Sequence, residues 1–244
     1  MSKMMLKAVN IKKNFDLDKT KLQILKGIDI NIQVGEFVTI MGKSGSGKST
    51  LLNILSTLDT PSEGEVYFED VKIDNLNDDD SSKLRRESFG FVFQLPKMVK
   101  NLSILDNILL PSLQYKNDRK SATQTATNLM QKIGIENIAD KKISQVSGGQ
   151  LQRAGICRAL INNPKILFAD EPTGALDSGT TKDVLNLFSN FHKEGKTIVM
   201  VTHDINVAAA SQRVLFMKDG LLIHDVSLGD DVNENLSKLK AVQY

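Results

Sequence analysis

The stretch that decides the fold is residues 42–50, which read Gly42-Lys43-Ser44-Gly45-Ser46-Gly47-Lys48-Ser49-Thr50. Its spacing is that of a phosphate-binding loop, in which Gly is followed, after four residues, by Gly, Lys and Ser or Thr. The glycines let backbone N–H groups turn inward around phosphates, and the N-terminus of a following helix adds the positive end of a dipole. We therefore predict that Lys48 reaches the β- and γ-phosphates of ATP and that Ser49 binds Mg²⁺.

The residues on either side of this loop support the prediction. Before it, residues 37–41 are nearly continuously apolar, as expected of a strand buried on both faces. After it, residues 51, 52, 54 and 55 are apolar and have the spacing of one helix face. A buried strand, a Gly-rich loop and a helix form the context in which a phosphate-binding loop works, so an ordinary Gly-Ser loop is disfavoured.

A second acidic motif follows another apolar strand. Residues 166–171 read Ile-Leu-Phe-Ala-Asp-Glu and end in two carboxylates, Asp170 and Glu171. Asp170 at the strand tip is suited to hold Mg²⁺ through water, and Glu171 just beyond it to polarise an attacking water as a general base. Two acids after a strand are also common in turns, but beside a phosphate-binding loop they indicate nucleotide hydrolysis.

Strand and helix patterns alternate in the second half of the chain, which predicts an α/β fold with a mostly parallel sheet. We expect a P-loop NTPase core with an inserted helical subdomain over about residues 95–150. One domain would span residues 1–228, and residues 229–244 would form a short C-terminal tail, either a marginal helix or a loose segment. The predicted strands are 5–11, 28–34, 37–41, 65–68, 89–93, 166–169, 197–201, 214–217 and 221–224, and the clearest predicted helices are 49–58, 121–133, 151–162 and 180–192.

The composition argues against several other classes of protein. The net charge is only +2, and Trp is absent, so neither a basic face nor stacking platforms point to nucleic acid. Cys157 is the single cysteine, which rules out a disulfide within the chain. No apolar run approaches the roughly 20 residues of a membrane span, and residues 1–13 lack the apolar stretch of a signal peptide. We expect a cytoplasmic protein, so any link to a membrane must come through a partner.

Residues 146–150, Val146-Ser147-Gly148-Gly149-Gln150, resemble the LSGGQ signature of ABC transporter ATP-binding subunits, with Val in place of the first Leu. The resemblance runs from about residue 7 to residue 224, and it implies a RecA-like core and an antiparallel β subdomain. Ser147 and the two glycines open a helix, so their N–H groups form a second anion site. In this family the signature of one subunit closes on the ATP held by the P-loop of the other, which implies a homodimer with two ATP molecules.

The resemblance implies roles for four further residues. Gln94 matches the Q-loop glutamine that ligates Mg²⁺ and senses the membrane partner, and Asp177 matches the D-loop residue that contacts the opposite subunit. His203 matches the switch histidine that contacts the γ-phosphate. Phe15 aligns with the aromatic that stacks on adenine, with a place in the core as the alternative. The resulting catalytic set is Lys48, Gln94, Glu171 and His203; the metal set is Ser49, Gln94 and Asp170; the nucleotide-binding set adds Phe15, residues 42–50, 147–150 and Asp177.

Three stretches, residues 24–28, 35–42 and 170–177, resemble the MacB-type branch of the family. This branch includes macrolide-exporter, lipoprotein-release and cell-division ATPases and bacitracin-type antimicrobial-peptide resistance subunits. The resemblance implies a membrane permease with few spanning helices and a large extracytoplasmic domain as the partner. A free-standing chain rich in Lys and Asn is most similar to the resistance subunits, so we expect export of, or resistance to, antimicrobial peptides.

Two alternatives within the branch stay open, because the motor chemistry would be the same. They are a lipoprotein-release or cell-division ATPase and a regulatory ATPase that signals through a membrane partner. A soluble ABC ATPase acting on DNA or ribosomes is disfavoured, since such proteins carry long coiled coils, zinc modules or two ATPase domains and this sequence shows none of them.

Overall fold

A computed structural model describes residues 3–17, 20–113 and 118–242. The strands are β1 (Met4–Leu17), β2 (Thr20–Gln33), β3 (Phe37–Met41), β4 (Glu63–Phe68), β5 (Val71–Lys72), β6 (Phe89–Phe93), β7 (Ile166–Asp170), β8 (Thr197–Thr202), β9 (Arg213–Lys218) and β10 (Leu221–Ser227). The helices are α1 (Lys48–Leu55), α2 (Asp78–Ser88), α3 (Ile104–Leu113), α4 (Arg119–Ile133), α5 (Gly148–Leu160), α6 (Ser178–Lys193), α7 (Ile205–Ala208) and α8 (Val232–Lys240).

The larger of the two sheets formed by the described residues has the order β10-β9-β3-β8-β7-β6. Strands β3, β6, β7, β8 and β9 are parallel to their neighbours, and β10 closes the edge as an antiparallel hairpin with β9. Alternate residues of β8 enter different cores: Ile198 and Met200 pack with α3–α6, while Val199 and Val201 pack with α1 and the second sheet. The mostly parallel sheet expected from the sequence is confirmed, and burial on both faces explains its continuous apolar runs.

The smaller sheet is antiparallel, with the order β2-β1-β4-β5, which confirms the predicted antiparallel subdomain. The prediction that its first two strands cover residues 5–11 and 28–34 was too short. β1 and β2 are long strands, and register shifts between Ala8 and Ile11 and between Lys13 and Asn14 interrupt their pairing. These irregularities, with Asn10 at a left-handed φ of 49°, break the two-residue period on which the prediction relied.

Helices α3, α4 and α5 pack together on one face of the central sheet. In α4 the buried residues are Ala122, Ala126, Met130 and Ile133, which form one helical face. The helix predicted at residues 121–133 is present and begins two residues earlier, where Asp118 accepts a hydrogen bond from the Lys120 backbone N–H. The bounds of a helical subdomain at about 95–150 stay a prediction.

The C-terminal segment forms α8 and packs on the central sheet. Leu239 is fully buried beside Val214 and Phe216, and the Asn235 side-chain amide donates to the backbone oxygens of Ala209 and Gly229. The described part of the tail therefore contains a helix, which is one of the two forms expected from the sequence. Residues 243 and 244 lie outside the described residues. The domain boundary at residue 228 stays a prediction. None of the described helices combines the length and the apolar character that a membrane span requires.

Arg213 on β9 joins the two sheets. Its Nε and Nη2 donate to the two carboxylate oxygens of Asp225 at 2.7 and 2.6 Å, and its Nη1 donates to Glu36 Oε1 at 3.1 Å. Nη1 also donates to the backbone oxygen of Asn31 on β2, at 2.8 Å. The hydrogen bonds to Asp225 are the main reason that the pKa of Arg213 lies above its ordinary value. Such a forked, charge-assisted arrangement is specific to arginine.

We expect Arg213→Ala to lower the free energy of unfolding by about 2 kcal/mol, because charge-assisted hydrogen bonds are lost between partly buried groups. The shift of the urea unfolding midpoint measures this effect. Lys12→Ala is the control: Lys12 pairs with Glu63 at 2.7 Å on the surface, where such pairs contribute less than about 1 kcal/mol. Equal shifts for the two variants would contradict a special role for Arg213.

Candidate functional site

The Gly-rich loop connects β3 to α1, as the sequence predicts. Gly47 caps α1 with a left-handed φ of 101°, and a Cβ on Gly42 would lie 2.2 Å from the backbone oxygen of Met217. Only glycine fits at Gly42, since no side-chain atom can approach a backbone oxygen so closely. Lys48 folds back over the loop, and its Nζ donates to the Lys43 backbone oxygen at 3.0 Å. The loop thus places a buried ammonium group at the start of a helix.

Ser49 and Asp170 meet at the carboxyl edge of the parallel sheet, where open α/β sheets bind their ligands. The Ser49 hydroxyl donates to Asp170 Oδ1 at 3.0 Å. Burial raises the pKa of Asp170, with the hydrogen bond from Ser49 opposing that change. Burial also lowers the pKa of Lys48, and the charges of Glu171 and Asp170 oppose it. One ammonium and two carboxylates therefore share this edge of the sheet.

Glu171 is held at that edge by an unusual backbone conformation. Its φ is 45°, in the left-handed region that side-chain-bearing residues rarely adopt, and its N–H donates to the Val201 backbone oxygen at 3.0 Å. Its carboxylate Oε1 lies 2.8 Å from Nδ1 of His203, which follows β8. Strained backbone of this kind is concentrated at functional sites. The strain and the histidine contact fix the position of one carboxylate beside the phosphate-binding loop.

Lys48, Ser49, Glu171 and His203 line one cavity of about 710 Å³, whereas Asp170 is not part of its lining and contacts it through the hydroxyl of Ser49. The cavity brings together most residues of the predicted P-loop with Gln94, Glu171 and His203. Its lining comprises Ile24, Gly42, Lys43, Ser44, Gly45, Gly47, Lys48, Ser49, Thr50, Gln94, Glu171 and His203. Ile24 was not in the predicted set; it lies on β2, whose extent the sequence did not reveal.

Phe15 lies outside the lining of this cavity. It is on β1, its residue surface is 42% exposed, and the Lys13 ammonium stands 5.2 Å from its ring centroid. The alternative of a core position for Phe15 is therefore not what the structure shows. Its role in adenine stacking stays a prediction.

The signature residues also lie outside the cavity lining, together with Asp177. Ser147 begins α5 with a capping box: its hydroxyl accepts from the Gln150 N–H, and the Gln150 side chain accepts from the Ser147 N–H. Gly149 packs against Thr180, since a Cβ there would lie 2.5 Å from Thr180 Cγ2. Thr180 in turn donates its N–H and hydroxyl to Asp177, which is mainly why the pKa of Asp177 is lowered. The signature and Asp177 thus sit together at two helix N-termini.

A family model described as ABC transporter matches residues 25–174, more than half of the chain. The chain belongs to the ABC transporter family. As a member of it, the chain is a nucleotide-binding, ATP-hydrolysing enzyme.

Three relatives illustrate the similarity within the ABC family. MJ0796 of Methanocaldococcus jannaschii, an uncharacterized ABC transporter ATP-binding protein, is 44% identical over 88% of this chain and 94% of its own length. The bacitracin export ATP-binding protein BceA of Halalkalibacterium halodurans is 42% identical over 96% of this chain and 92% of its own. The macrolide export ATP-binding/permease protein MacB of Campylobacter fetus is 40% identical over 98% of this chain, which spans 37% of MacB. The predicted resemblance to MacB-type and bacitracin-type ATPases is confirmed.

Solved structures of ABC cassettes share the fold. A dimeric structure of MJ0796 in a post-hydrolysis state, bound to ADP and Pi, aligns with a TM-score of 0.86 at 42% identity, over 92% of this chain and 99% of that one. The predicted α/β ABC ATPase fold is thereby confirmed.

Two polar residues with clear structural roles at this ABC ATPase's motifs escaped the sequence interpretation. Thr180 connects the signature to Asp177, and Gln152 on α5 donates its amide to the backbone oxygens of Phe93 and Pro172. Gln152 belongs to the run Gln-Leu-Gln-Arg that follows the signature glycines, a run that supports the family resemblance but does not by itself indicate what Gln152 contacts.

We expect Gly42→Ala to weaken ATP binding at least tenfold, because the new methyl group forces the loop away from the Met217 oxygen. Inserting a methyl group into a packed site typically costs about 1–3 kcal/mol. Calorimetric titration with ATP measures the affinity. Gly229→Ala is the matched control, since a Cβ at Gly229 meets nothing within 4 Å; similar losses of affinity in both variants would contradict this explanation.

Proposed function

We propose that two copies of this chain sandwich two ATP molecules and drive a MacB-type membrane permease with a large extracytoplasmic domain. The work done is export of, or resistance to, antimicrobial peptides. The observation that carries the catalytic part is the placement of Glu171 by His203 at 2.8 Å, beside the buried Lys48 and the Ser49–Asp170 pair.

Each side chain of the site has a chemical role in this proposal. Lys48 binds the β- and γ-phosphates as a buried cation, and the N–H groups of the loop complete the cradle. Glu171 accepts a proton from the water that attacks the γ-phosphate, since its carboxylate is fixed at the cavity wall. His203, whose Nδ1 lies 2.8 Å from that carboxylate, orients it and would contact the γ-phosphate. Gln94 lines the same cavity and lies at the end of β6.

The residues also fit Mg²⁺, which prefers oxygen ligands and is commonly held by one or two carboxylates together with substrate phosphates. Ser49 and Asp170 offer a hydroxyl and a carboxylate within 3.0 Å of one another. Among the described residues no group of three or more His, Cys, Asp or Glu side chains could hold a metal ion. From the Ser49–Asp170 pair and the place of Gln94 in the cavity lining we assign these three residues as ligands of an ion that would arrive with ATP and neutralise phosphate charge.

The need for a second copy follows from the position of the signature. Ser147 and Gly148 are exposed at the N-terminus of α5, yet they do not line the chain's own cavity. A helix N-terminus that opens to solvent with exposed glycines can bind the γ-phosphate of an ATP held elsewhere. Dimer formation by the similar cassette MJ0796 supports the same arrangement here.

A second cavity, of about 810 Å³, lies between α2, β6 and α5. Leu58, Phe91 and Phe93 contribute apolar surface to it, and Leu58 is exposed. Arg158 also lines it; burial lowers the pKa of this arginine. Because Phe93 immediately precedes Gln94, a cytoplasmic helix of the permease docked here would lie directly beside the ATP site. This cavity is our proposed docking cleft, and it would hold the chain on the inner face of the cell membrane.

The proposed substrate class rests on the relatives. BceA is similar over nearly the whole length of both chains and is named for bacitracin export. MacB is named for macrolide export, but this chain corresponds to only 37% of it. Lipoprotein release, cell division and signalling through a membrane partner are the competing functions, and identification of the permease separates them.

We expect Glu171→Gln to bind ATP, to lose hydrolysis by about 10²–10⁴-fold and to elute as a dimer in gel filtration with ATP. The amide cannot take the proton from the attacking water, and general base catalysis contributes effects of that size. Glu136→Gln is the control and should hydrolyse ATP normally, because Glu136 is exposed in the short 3-10 helix Glu136–Ile138 and does not line the cavity. A monomer at all ATP concentrations would contradict the sandwich.

The docking cleft yields a separate expectation. Tagged Glu171→Gln protein, recovered with ATP from gently solubilised membranes of the source organism, should carry a membrane protein with a large extracytoplasmic domain. Adding Leu58→Glu should abolish that recovery, because a charge enters the apolar wall of the cleft. Val71→Glu is the control: Val71 on β5 is 62% exposed and lies outside the cleft, so this change should leave the recovery intact. Recovery of ribosomes or DNA-repair proteins instead would overturn the transporter role and leave ATP hydrolysis standing.

A further inference from the structure

The side chain of Gln152 is buried at the junction of three functional segments. The residue is 1% exposed, and its Nε2 donates to the Phe93 backbone oxygen at 3.0 Å and to the Pro172 backbone oxygen at 2.7 Å. Phe93 comes directly before Gln94, and Pro172 comes directly after Glu171. Gln152 itself lies one helical turn and a half after Ser147, in the helix that the signature opens.

Helix α5 follows the segment after β6 along its length. Gly155, three residues after Gln152, approaches Pro96 so closely that a Cβ there would lie 3.1 Å from Pro96 Cγ. Arg158, three residues further, donates from Nη1 to the Lys97 backbone oxygen at 2.6 Å. These three contacts lie on one helical face, so α5 and residues 93–97 form a continuous contact. Gln152 is the member of that face that also reaches the segment carrying Glu171.

The link consists of donated hydrogen bonds alone. Within the part of the chain that the structure describes, Gln152 Oε1 is buried and has no hydrogen-bond partner. The two N–H groups of Gln152 Nε2 therefore bind carbonyl oxygens of two different segments, and Oε1 contributes nothing to the link. Backbone oxygens buried in this way need a donor. An apolar side chain of the same length would keep the packing and remove only the two hydrogen bonds.

We infer that Gln152 is a positioning residue for hydrolysis, which ties the backbone beside Glu171 to the docking cleft and to the signature helix. Glu171 has a left-handed backbone, so its carboxylate direction depends on what holds the residues on either side of it. Val201 holds the N–H of Glu171 through its backbone oxygen, and Gln152 holds Pro172. Since Phe93 lines the docking cleft, a partner that shifts β6 would reach Glu171 through this amide.

The inference rests on the proposed role of Glu171, and the test is steady-state ATP hydrolysis by the full chain at concentrations where the dimer forms. We expect Gln152→Met to lower kcat about 10- to 100-fold, as small misplacements of a catalytic group do. KM for ATP should stay within about twofold, because P-loop contacts are untouched. A purely structural role would not lower kcat while leaving KM for ATP unchanged.

Asn235→Leu is the matched control. Its buried amide also donates to two backbone oxygens, those of Ala209 and Gly229, but in α8 rather than beside the site. It should lose thermal stability while kcat stays within about twofold of the wild-type value. If Gln152→Met does not fold, Gln152→Glu replaces it: its kcat, relative to wild type, should rise as the pH falls, because the protonated carboxyl regains one donor.

The outcomes separate the two ideas. If Glu171→Gln keeps the wild-type rate, the proposed role of Glu171 fails. If Glu171→Gln loses hydrolysis while Gln152→Met keeps the wild-type kcat, the inference about Gln152 is overturned. An equal loss of kcat in Gln152→Met and Asn235→Leu would overturn it as well, because the effect would then reflect stability alone.

Discussion

The burial of strand β3 on both faces is the constraint on which the rest of the structure depends. Its five residues are all buried, with parallel neighbours β8 and β9 on its two sides. Val38 and Ile40 enter the core that contains α1 and the second sheet, whereas Phe37 enters the core of α3–α6 and Met41 enters a third core with α7, β9 and α8. A slip of the strand by one residue would move these side chains into the wrong cores. The Gly-rich loop begins at the end of this strand, and the close approach of Gly42 to Met217 on β9 fixes where it starts. The position of the phosphate cradle is thus a consequence of core packing.

The site groups come from neighbouring strands that end at the same edge. Asp170 ends β7, Glu171 follows it with a left-handed backbone, and His203 follows β8. The parallel pairing of β7 with β8 and of β8 with β3 places these residues at the edge of the sheet from which the loop leaves. The proposed second anion site lies at the N-terminus of helix α5, which the chain reaches only after α3 and α4. In the proposed dimer, the sheet would carry the groups that act on water and bind the metal ion, and a helix would supply the second phosphate contact.

The sequence was sufficient where function depends on local pattern. The P-loop, the acids after β7 and the signature each occupy one short run, and the structure places Ser49 beside Asp170, the two residues that were expected to share a metal ion. The contact between Glu171 and His203 is one that no run of the sequence predicted. Sequence was insufficient where contacts join distant segments. Gln152 bonds to Phe93, 59 positions away, and such pairing leaves no periodic signal. β1 and β2 were underestimated for a related reason, since bulges displace side chains from strict alternation.

In the proposed dimer, one feature of the cavity governs how the enzyme's rate depends on its own concentration. Because Ser147 and its glycines do not line the chain's own cavity, a complete site in the proposed arrangement requires a collision between two copies. For copies that are free in dilute solution, the rate of ATP hydrolysis would then be second order in protein concentration. The activity per molecule would fall as the sample is diluted. A permease that holds two copies side by side replaces that collision with a high effective concentration, in the millimolar range for short tethers. Expression of the membrane partner would then set the ATP consumption of a cell more strongly than expression of the ATPase itself.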